Sequence, residues 1–235
     1  MADRPYTLLS CGMSIDGYLD SATVKRLPLS NDADLDRIDA VRATSDAILV
    51  GAATVRNDNP RLLIRSSARR REREAQGLRP TPIKVTVTRH GRLDADSDFF
   101  QIGDTQKVVY CASPHFAEAC LRLGAVSCVV DGGDPLRMQR VSEDLHSRGV
   151  RRLMVEGGGS VLTQFLTADL ADELQLVVAP FFVGDSQARR FVSDGRFPWH
   201  PQRRATLAEV RQIGDVVLLR YALSPRFSAE SAGEA

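Results

Sequence analysis

Two rhythms of apolar residues alternate along most of this chain. Short runs rich in Val, Ile and Leu at 6–13, 47–51, 83–88, 107–111, 126–130 and 150–156 read as strands. The run at 47–51 is apolar throughout, as in a strand buried on both faces, whereas 83–88 alternates apolar with polar. Helical spacing appears between them. Over 31–44, Leu35, Ile38 and Val41 fall on one face, Ser30 or Asn31 can cap, and Asp32 and Asp34 favour the positive end. The stretches 114–123 and 135–148 also read as helices, the second stopped by Gly149, and 160–166 reads as a third. The last part changes character: 173–179, 206–213 and 216–222 are strand-like, with Gly214-Asp215 as a hairpin turn. The pattern predicts an α/β protein with a mostly parallel central sheet flanked by helices and finished by antiparallel C-terminal strands. A single domain over 1–225 is expected, then a small, polar, disordered tail at 226–235.

Composition narrows the function classes. Hydrophobic content of 43%, charged content of 26% and a net charge of +1 describe an ordinary globular protein with no global attraction for nucleic acid or acidic membranes. No apolar run approaches the roughly 20 residues needed to span a bilayer, and the N-terminus lacks the apolar core of a signal peptide. A cytoplasmic protein is expected. Cys11, Cys111, Cys120 and Cys128 form no Cys-x-x-Cys pair, and most lie in strand-like runs. The expectation is reduced core thiols and no metal site. The Arg- and Glu-rich stretch 66–77 reads as a solvated helical linker, because Glu72 and Glu74 interrupt the positive charge.

Candidate chemistry collects where strands end. After the run 47–51, one helical turn places Thr54 and Asp58 four positions apart on one face. A hydroxyl beside a carboxylate can orient a carboxamide, a ribose or a proton-bearing substrate atom; a cap followed by an Asp turn has the same signature. Arg42, Arg61 and Arg65 flank this loop, and their planar forks suit phosphate. Glu156-Gly157-Gly158-Gly159-Ser160 joins a strand to a helix, the arrangement of an anion site for a pyrophosphate, although a tight structural turn looks similar. Arg89, in Thr88-Arg89-His90-Gly91-Arg92, follows a strand, where a cation can meet the extra phosphate of NADPH; a plain polar loop has the same signature. Met13-Ser14-Ile15-Asp16-Gly17-Tyr18 follows the first strand as a further edge loop. No Ser-His-Asp or Cys-His set can be assembled.

Taken in order, Met-Ser-Ile-Asp-Gly at 13–17, Arg-Ala-x-Ser-Asp-Ala-Ile-Leu-Val-Gly-Ala at 42–52, Thr-Val-Arg-x-Asp-Asn-Pro-x-Leu at 54–62, Val-Glu-Gly-Gly-Gly at 155–159, Leu-Ala-Asp-Glu-Leu at 170–174 and Ala-Pro-Phe-Phe-Val-Gly at 179–184 resemble the reductase of riboflavin biosynthesis. The resemblance spans roughly residues 5–223. It implies a dihydrofolate-reductase-like fold and NADPH-dependent reduction of the ribosyl group of a diaminopyrimidine or aminouracil ribosylamino 5′-phosphate to ribityl. It also implies roles for individual residues. Asp58 and Glu156 are the catalytic candidates, and Glu156 also contacts the substrate. Thr54 and Asp58 border the nicotinamide, Arg89 lies near the 2′-phosphate, and Gly158, Gly159, Ser160, Val161, Leu162 and Thr163 cradle the pyrophosphate. Arg42, Leu62 and Arg65 contact the substrate. A homodimer follows from the same resemblance, with 173–182 and the C-terminal strands as candidate interface. Many such reductases carry a lysine where this chain has Tyr18, which keeps open a related NADPH reductase acting on a pterin, dihydrofolate or another heterocycle. The family's companion deaminase motif, His-x-Glu with Pro-Cys-x-x-Cys, does not occur here, so zinc-dependent deamination and a deaminase domain are not expected.

Overall fold

A computed structural model describes residues 3–22 and 27–227, and every apolar run that reads as a strand forms one. The strands are β1 (Tyr6–Ser14), β2 (Ala47–Gly51), β3 (Ile83–Thr88), β4 (Lys107–Cys111), β5 (Cys128–Asp131), β6 (Arg152–Gly157), β7 (Glu173–Ala179), β8 (Thr206–Ile213) and β9 (Val216–Ala222). The helices are α1 (Asp32–Ala43), α2 (Ala52–Asp58), α3 (Ser67–Ala75), α4 (Asp98–Gln101), α5 (Phe116–Leu123), α6 (Met138–Ser147) and α7 (Gly159–Thr167). A single 3-10 turn, Ser113–His115, precedes α5. The predicted tail lies outside the described residues from 228 onward. Among the described residues, no helix is long and apolar enough to cross a membrane.

The chain folds into two compact units, one of Met1–Pro5 with Asp39–Met154 and one of Tyr6–Ile38 with Val155–Ala235. In the first, β2, β3, β4 and β5 are parallel neighbours in the order β5-β4-β3-β2. All five residues of β2 are buried, as its unbroken apolar run requires. Asp46 sets the register at its start. The Asp46 carboxylate accepts the Arg151 and Arg152 N–H groups at 2.8 Å each, and its carbonyl accepts the Ile83 N–H at 2.9 Å. The core of this unit joins Ile48, Val50, Val55, Leu62, Phe99 and Leu123.

Several expectations need correction here. The alternation of β3 predicts a half-exposed strand, yet five of its six residues are buried, Lys84, Thr86 and Thr88 among them. As an interior strand β3 is covered on both faces; Lys84 and Thr88 find partners there, whereas the buried Thr86 hydroxyl has none among the described residues. The Lys84 ammonium donates to the carbonyls of Phe99 at 3.0 Å and Ile102 at 2.5 Å, ending α4, a helix that the pattern did not reveal. The Arg-rich stretch is a helix but not a solvated linker. Arg73 is only 5% exposed and donates to the carbonyls of Ala43, Ser45 and Arg79 at 2.7–2.9 Å. Cys128, expected in the core, is exposed on the edge strand β5, while Cys111 is buried and Cys11 and Cys120 are half-buried free thiols. Helix α6 begins at Met138 rather than Pro135.

In the second unit the order is β1-β7-β9-β8, with β1 and β7 parallel and the last two pairings antiparallel. The start of β7 is a knot of buried charge. Glu173 is fully buried and accepts from Arg220 at 2.8 and 3.0 Å and from the Tyr6 hydroxyl at 2.8 Å. Asn31 caps α1, its Oδ1 accepting the Asp34 N–H at 2.9 Å. The buried face of α1 is not the predicted apolar one. Asp34, Arg37 and Asp39 are buried, whereas Leu35, Ile38 and Val41 are half-buried. Charge pairing is the reason: Arg37 bonds Asp34 at 2.7 Å and also the Gln175 side chain. Six of the seven residues of β7 are buried, so the apolar surface left on the predicted interface segments is Phe182, Leu207, Val210 and Val217.

Burial holds the Lys84 ammonium at about 8, below its ordinary 10.5, with Lys107 adding to the effect and Asp98 opposing it. Between these two values the unfolded chain binds more protons than the folded one, so stability rises with pH across that window. Urea midpoints at about pH 7.5 and pH 10 should therefore shift in favour of the native protein relative to Lys84→Met. An unchanged difference between the two proteins would refute the shifted lysine.

Candidate active site

The predicted site residues divide between the two units. In the first, β2 delivers the chain at Gly51 in extended conformation to α2, which carries Thr54 half-buried and Asp58 exposed, one turn apart. Helix α2 stops at Asn59, whose φ of 43° is left-handed and whose N–H returns to the Val55 carbonyl. Leu62 also takes a left-handed φ, 48°, a conformation that costs a leucine on the order of 1 kcal/mol. Its side chain packs in the core, so Leu62 can offer a ligand its backbone rather than its side chain.

Side chains clamp the backbone that follows. Arg42 donates to the Leu63 carbonyl at 3.2 Å, and Arg70 donates to Ile64 and Arg65 at 2.7 and 2.8 Å. The buried Asp39 carboxylate accepts the N–H of Arg65, the N–H of Ser66 at 3.1 Å and the Arg69 guanidinium at 3.0 Å. The backbone from Leu63 to Ser66 is thus held from both sides while the Arg65 side chain stays exposed. Sequence reasoning named Arg42 and Arg65 and missed Asp39 and Arg70. Nothing local distinguishes a buried clamp from a surface charge. Arg61 is committed elsewhere, to an exposed pair with Asp98 at 2.9 Å.

Arg89 is exposed just past β3. The turn behind it is fixed by the Gly91 N–H donating to the Thr88 hydroxyl at 3.1 Å. Gly91 has a φ of 63°, and a Cβ there would sit 2.6 Å from the Ala119 Cβ, so only glycine fits. Two groups absent from the sequence reading join this corner. His115 meets His90, Nε2 to Nδ1, at 3.0 Å, and Arg56 of α2 reaches the Arg92 carbonyl at 3.5 Å.

In the second unit Glu156 is half-buried near the end of β6, and α7 begins at the third of the three glycines. Gly158 caps α7 in extended conformation with no side-chain cap. The first-turn N–H groups of Gly159 and Ser160 bond nothing among the described residues, whereas those of Val161 and Leu162 return to the Gly158 carbonyl. Gly157 has a φ of 113°, and a Cβ built there would meet only Leu162, at 3.9 Å. Free donors and a dipole end fit a pyrophosphate, with the approach open at Gly157, whereas a Cβ at the buried Gly159 would meet the Arg190 carbonyl at 2.5 Å. Val161 and Leu162 turn their side chains into the core. The Thr163 hydroxyl is already used, donating to the Gly159 carbonyl at 2.8 Å and accepting the Ser193 N–H at 2.9 Å.

The loop after β1 serves structure. Asp16 accepts from the Ser14 hydroxyl at 2.6 Å and from the N–H groups of Val183 and Gly184 at 3.1 and 2.8 Å. Tyr18 is buried, its hydroxyl accepting from Arg190 at 3.2 Å with that guanidinium 5.1 Å from the ring centre. Among the described residues no group of three or more His, Cys, Asp or Glu is placed to hold a metal ion.

The RibD C-terminal domain family model matches residues 5–219. The 2,5-diamino-6-ribosylamino-4(3H)-pyrimidinone 5′-phosphate reductase of Archaeoglobus fulgidus is 30% identical, over 96% of this chain and 99% of that one. The protein of the same name from Methanothermobacter thermautotrophicus is 32% identical, over 93% and 98%. Among solved structures, a pyrimidine reductase-like protein from Corynebacterium diphtheriae superposes with a TM-score of 0.79 at 22% identity, covering 93% of this chain and 91% of that one. That likeness establishes the fold.

The Ser14 hydroxyl, with the amides of Val183 and Gly184, holds the Asp16 carboxyl at about 2, below its ordinary 3.8. The tie is complete above about pH 4 and is lost as pH falls toward 2. Amide exchange at Val183 and Gly184 should accelerate in Asp16→Asn at neutral pH. Unchanged protection at both amides would refute the tie.

Proposed function

Because this chain belongs to the RibD C-terminal domain family, we propose that it is an NADPH-dependent reductase converting the ribosyl group of a ribosylamino-pyrimidine 5′-phosphate to ribityl. The substrate class is the diaminopyrimidinone or aminouracil of riboflavin synthesis. The observation that carries this reading is the near end-to-end match to two reductases named for that substrate. The clamped loop supports it, because a backbone held on both sides presents the exposed Arg65 from a fixed point, and an arginine's planar fork suits a phosphate.

When bound, NADPH supplies a hydride, which passes to C1′ of the opened sugar or its imine. The residues position the reactants. Gly158, Gly159 and Ser160 hold the pyrophosphate through N–H groups at the start of α7, and Arg89 holds the 2′-phosphate. Thr54 and Asp58 border the nicotinamide. Arg42 and Arg65 hold the substrate phosphate, and Glu156 accepts hydrogen bonds from the substrate. The enzyme works as a cytoplasmic homodimer, which sedimentation tests; a monomer would remove that element.

A second reading rests on Tyr18, buried and bonded to Arg190 where many relatives in function carry lysine. It assigns another heterocycle, such as dihydrofolate or a pterin, to the same cofactor.

Loss of NADPH absorbance with the ribosylaminouracil 5′-phosphate, generated in situ by a separate deaminase, decides between them. Rapid substrate-dependent oxidation is expected; oxidation with dihydrofolate alone would move the assignment to the second reading. Asp58 is exposed, so Asp58→Asn should fold normally yet lose turnover by at least about tenfold, roughly 1.4 kcal/mol of barrier. Arg65→Ala should raise KM for the phosphorylated substrate more than it lowers kcat. Full activity in Asp58→Asn would remove that residue from the reaction.

A further inference from the structure

The corner beyond β3 holds more than the arginine read from sequence. His90 and His115 share one hydrogen bond of 3.0 Å, their rings at 71° with centroids 4.6 Å apart. One nitrogen of that bond donates and the other accepts, so the accepting ring is neutral there. The outer nitrogens, His90 Nε2 and His115 Nδ1, bond nothing among the described residues. The largest charged influences on His90 are cationic: Arg89 and Arg92 on its own loop, Arg56 from α2 and His115 from the turn before α5. Two carboxylates of the neighbouring elements are occupied. Glu118 pairs with Arg122 at 3.2 Å, and Asp131 accepts from the Ser113 hydroxyl at 2.6 Å and the Gly133 N–H at 2.9 Å. Partial desolvation first, and then these cations, hold His90 below the ordinary histidine value. A cluster of this kind resists further protons until an anion enters it. A dianion reverses the local field, and a neutral imidazole beside it then gains a proton.

We propose that His90 and His115 are specificity-determining residues for the cofactor's 2′-phosphate, taking up a proton from solvent as that phosphate docks among Arg56, Arg89 and Arg92. The inference rests on the reading of this corner as the NADPH phosphate site. Its consequence is a preference for NADPH over NADH that widens as pH falls from about 8 to about 6.5. The phosphate's own second ionisation near 6 has the opposite sign, because binding to cations expels its proton. The two contributions are therefore separable.

The test is calorimetric titration of the full chain with NADPH and with NADH at about pH 7, in two non-phosphate buffers of unlike ionisation enthalpy. Expected is uptake of up to about one proton with NADPH and none with NADH. His115→Gln and the more exposed His90→Gln should each abolish the uptake and weaken NADPH by about three- to tenfold, leaving NADH unchanged. Suppose NADPH is preferred and Arg89→Ala removes the preference, yet no proton is taken up or both histidine variants take up as much as the native protein. The histidine proposal then falls while the phosphate site stands. Equal binding of the two nucleotides, unaffected by Arg89→Ala, would overturn the phosphate site and the proposal with it.

Discussion

The burial of β2 at every position governs the first unit. A strand covered on both faces can carry no functional side chain along its length, because each polar group would need a partner inside the core. Its polar work is done at its ends. At the amino end Asp46 takes two backbone N–H groups and fixes the neighbouring strands in register. At the carboxyl end Gly51 releases the chain into α2, and Thr54 and Asp58 appear within the next turn. The second unit repeats the logic, with the three glycines leading from β6 to α7 N–H groups that bond nothing among the described residues.

Charge inside this protein is mostly structural. Asp39, Arg73, Lys84, Glu173 and Arg220 are buried, and each is bonded to backbone or to an opposite charge. Such groups are costly to bury and costly to orphan; removing one partner of a buried pair typically forfeits about 3–5 kcal/mol. That asymmetry bears on the arginine-rich stretch 66–77, where several charges are used inside the fold. Arg69 and Arg70 are committed to Asp39 and to the backbone of the Leu63–Ser66 loop, and Arg73 to the carbonyls of Ala43, Ser45 and Arg79.

The corner beyond β3 follows the opposite rule. Arg56, Arg89, Arg92 and His115 are the charges that act most strongly on His90, and all are cationic. Like charges held together at a surface destabilise the fold slightly, with screening by salt keeping the cost small. Such an arrangement is useful when an anion completes it. Arg61 differs, its charge being already met by Asp98.

The alternation of apolar runs determined the element order, because a strand's burial is written in its own residues. The parallel strands, the C-terminal hairpin and the strand-to-helix turns bearing Thr54, Asp58 and the glycines were all legible. So was the family, since its motifs are local. Tertiary structure decided what depends on distant partners. The alternating residues of β3 gave no sign that the strand is interior, and the charged face of α1 no sign that it is buried. Asp39 and Arg70 became clamps only through backbone groups lying 5–27 positions away in the chain. His115 reached His90 across 25 residues. A side chain's type sets what it can bond, but the fold sets which partner arrives, and for buried charges the partner decides the role.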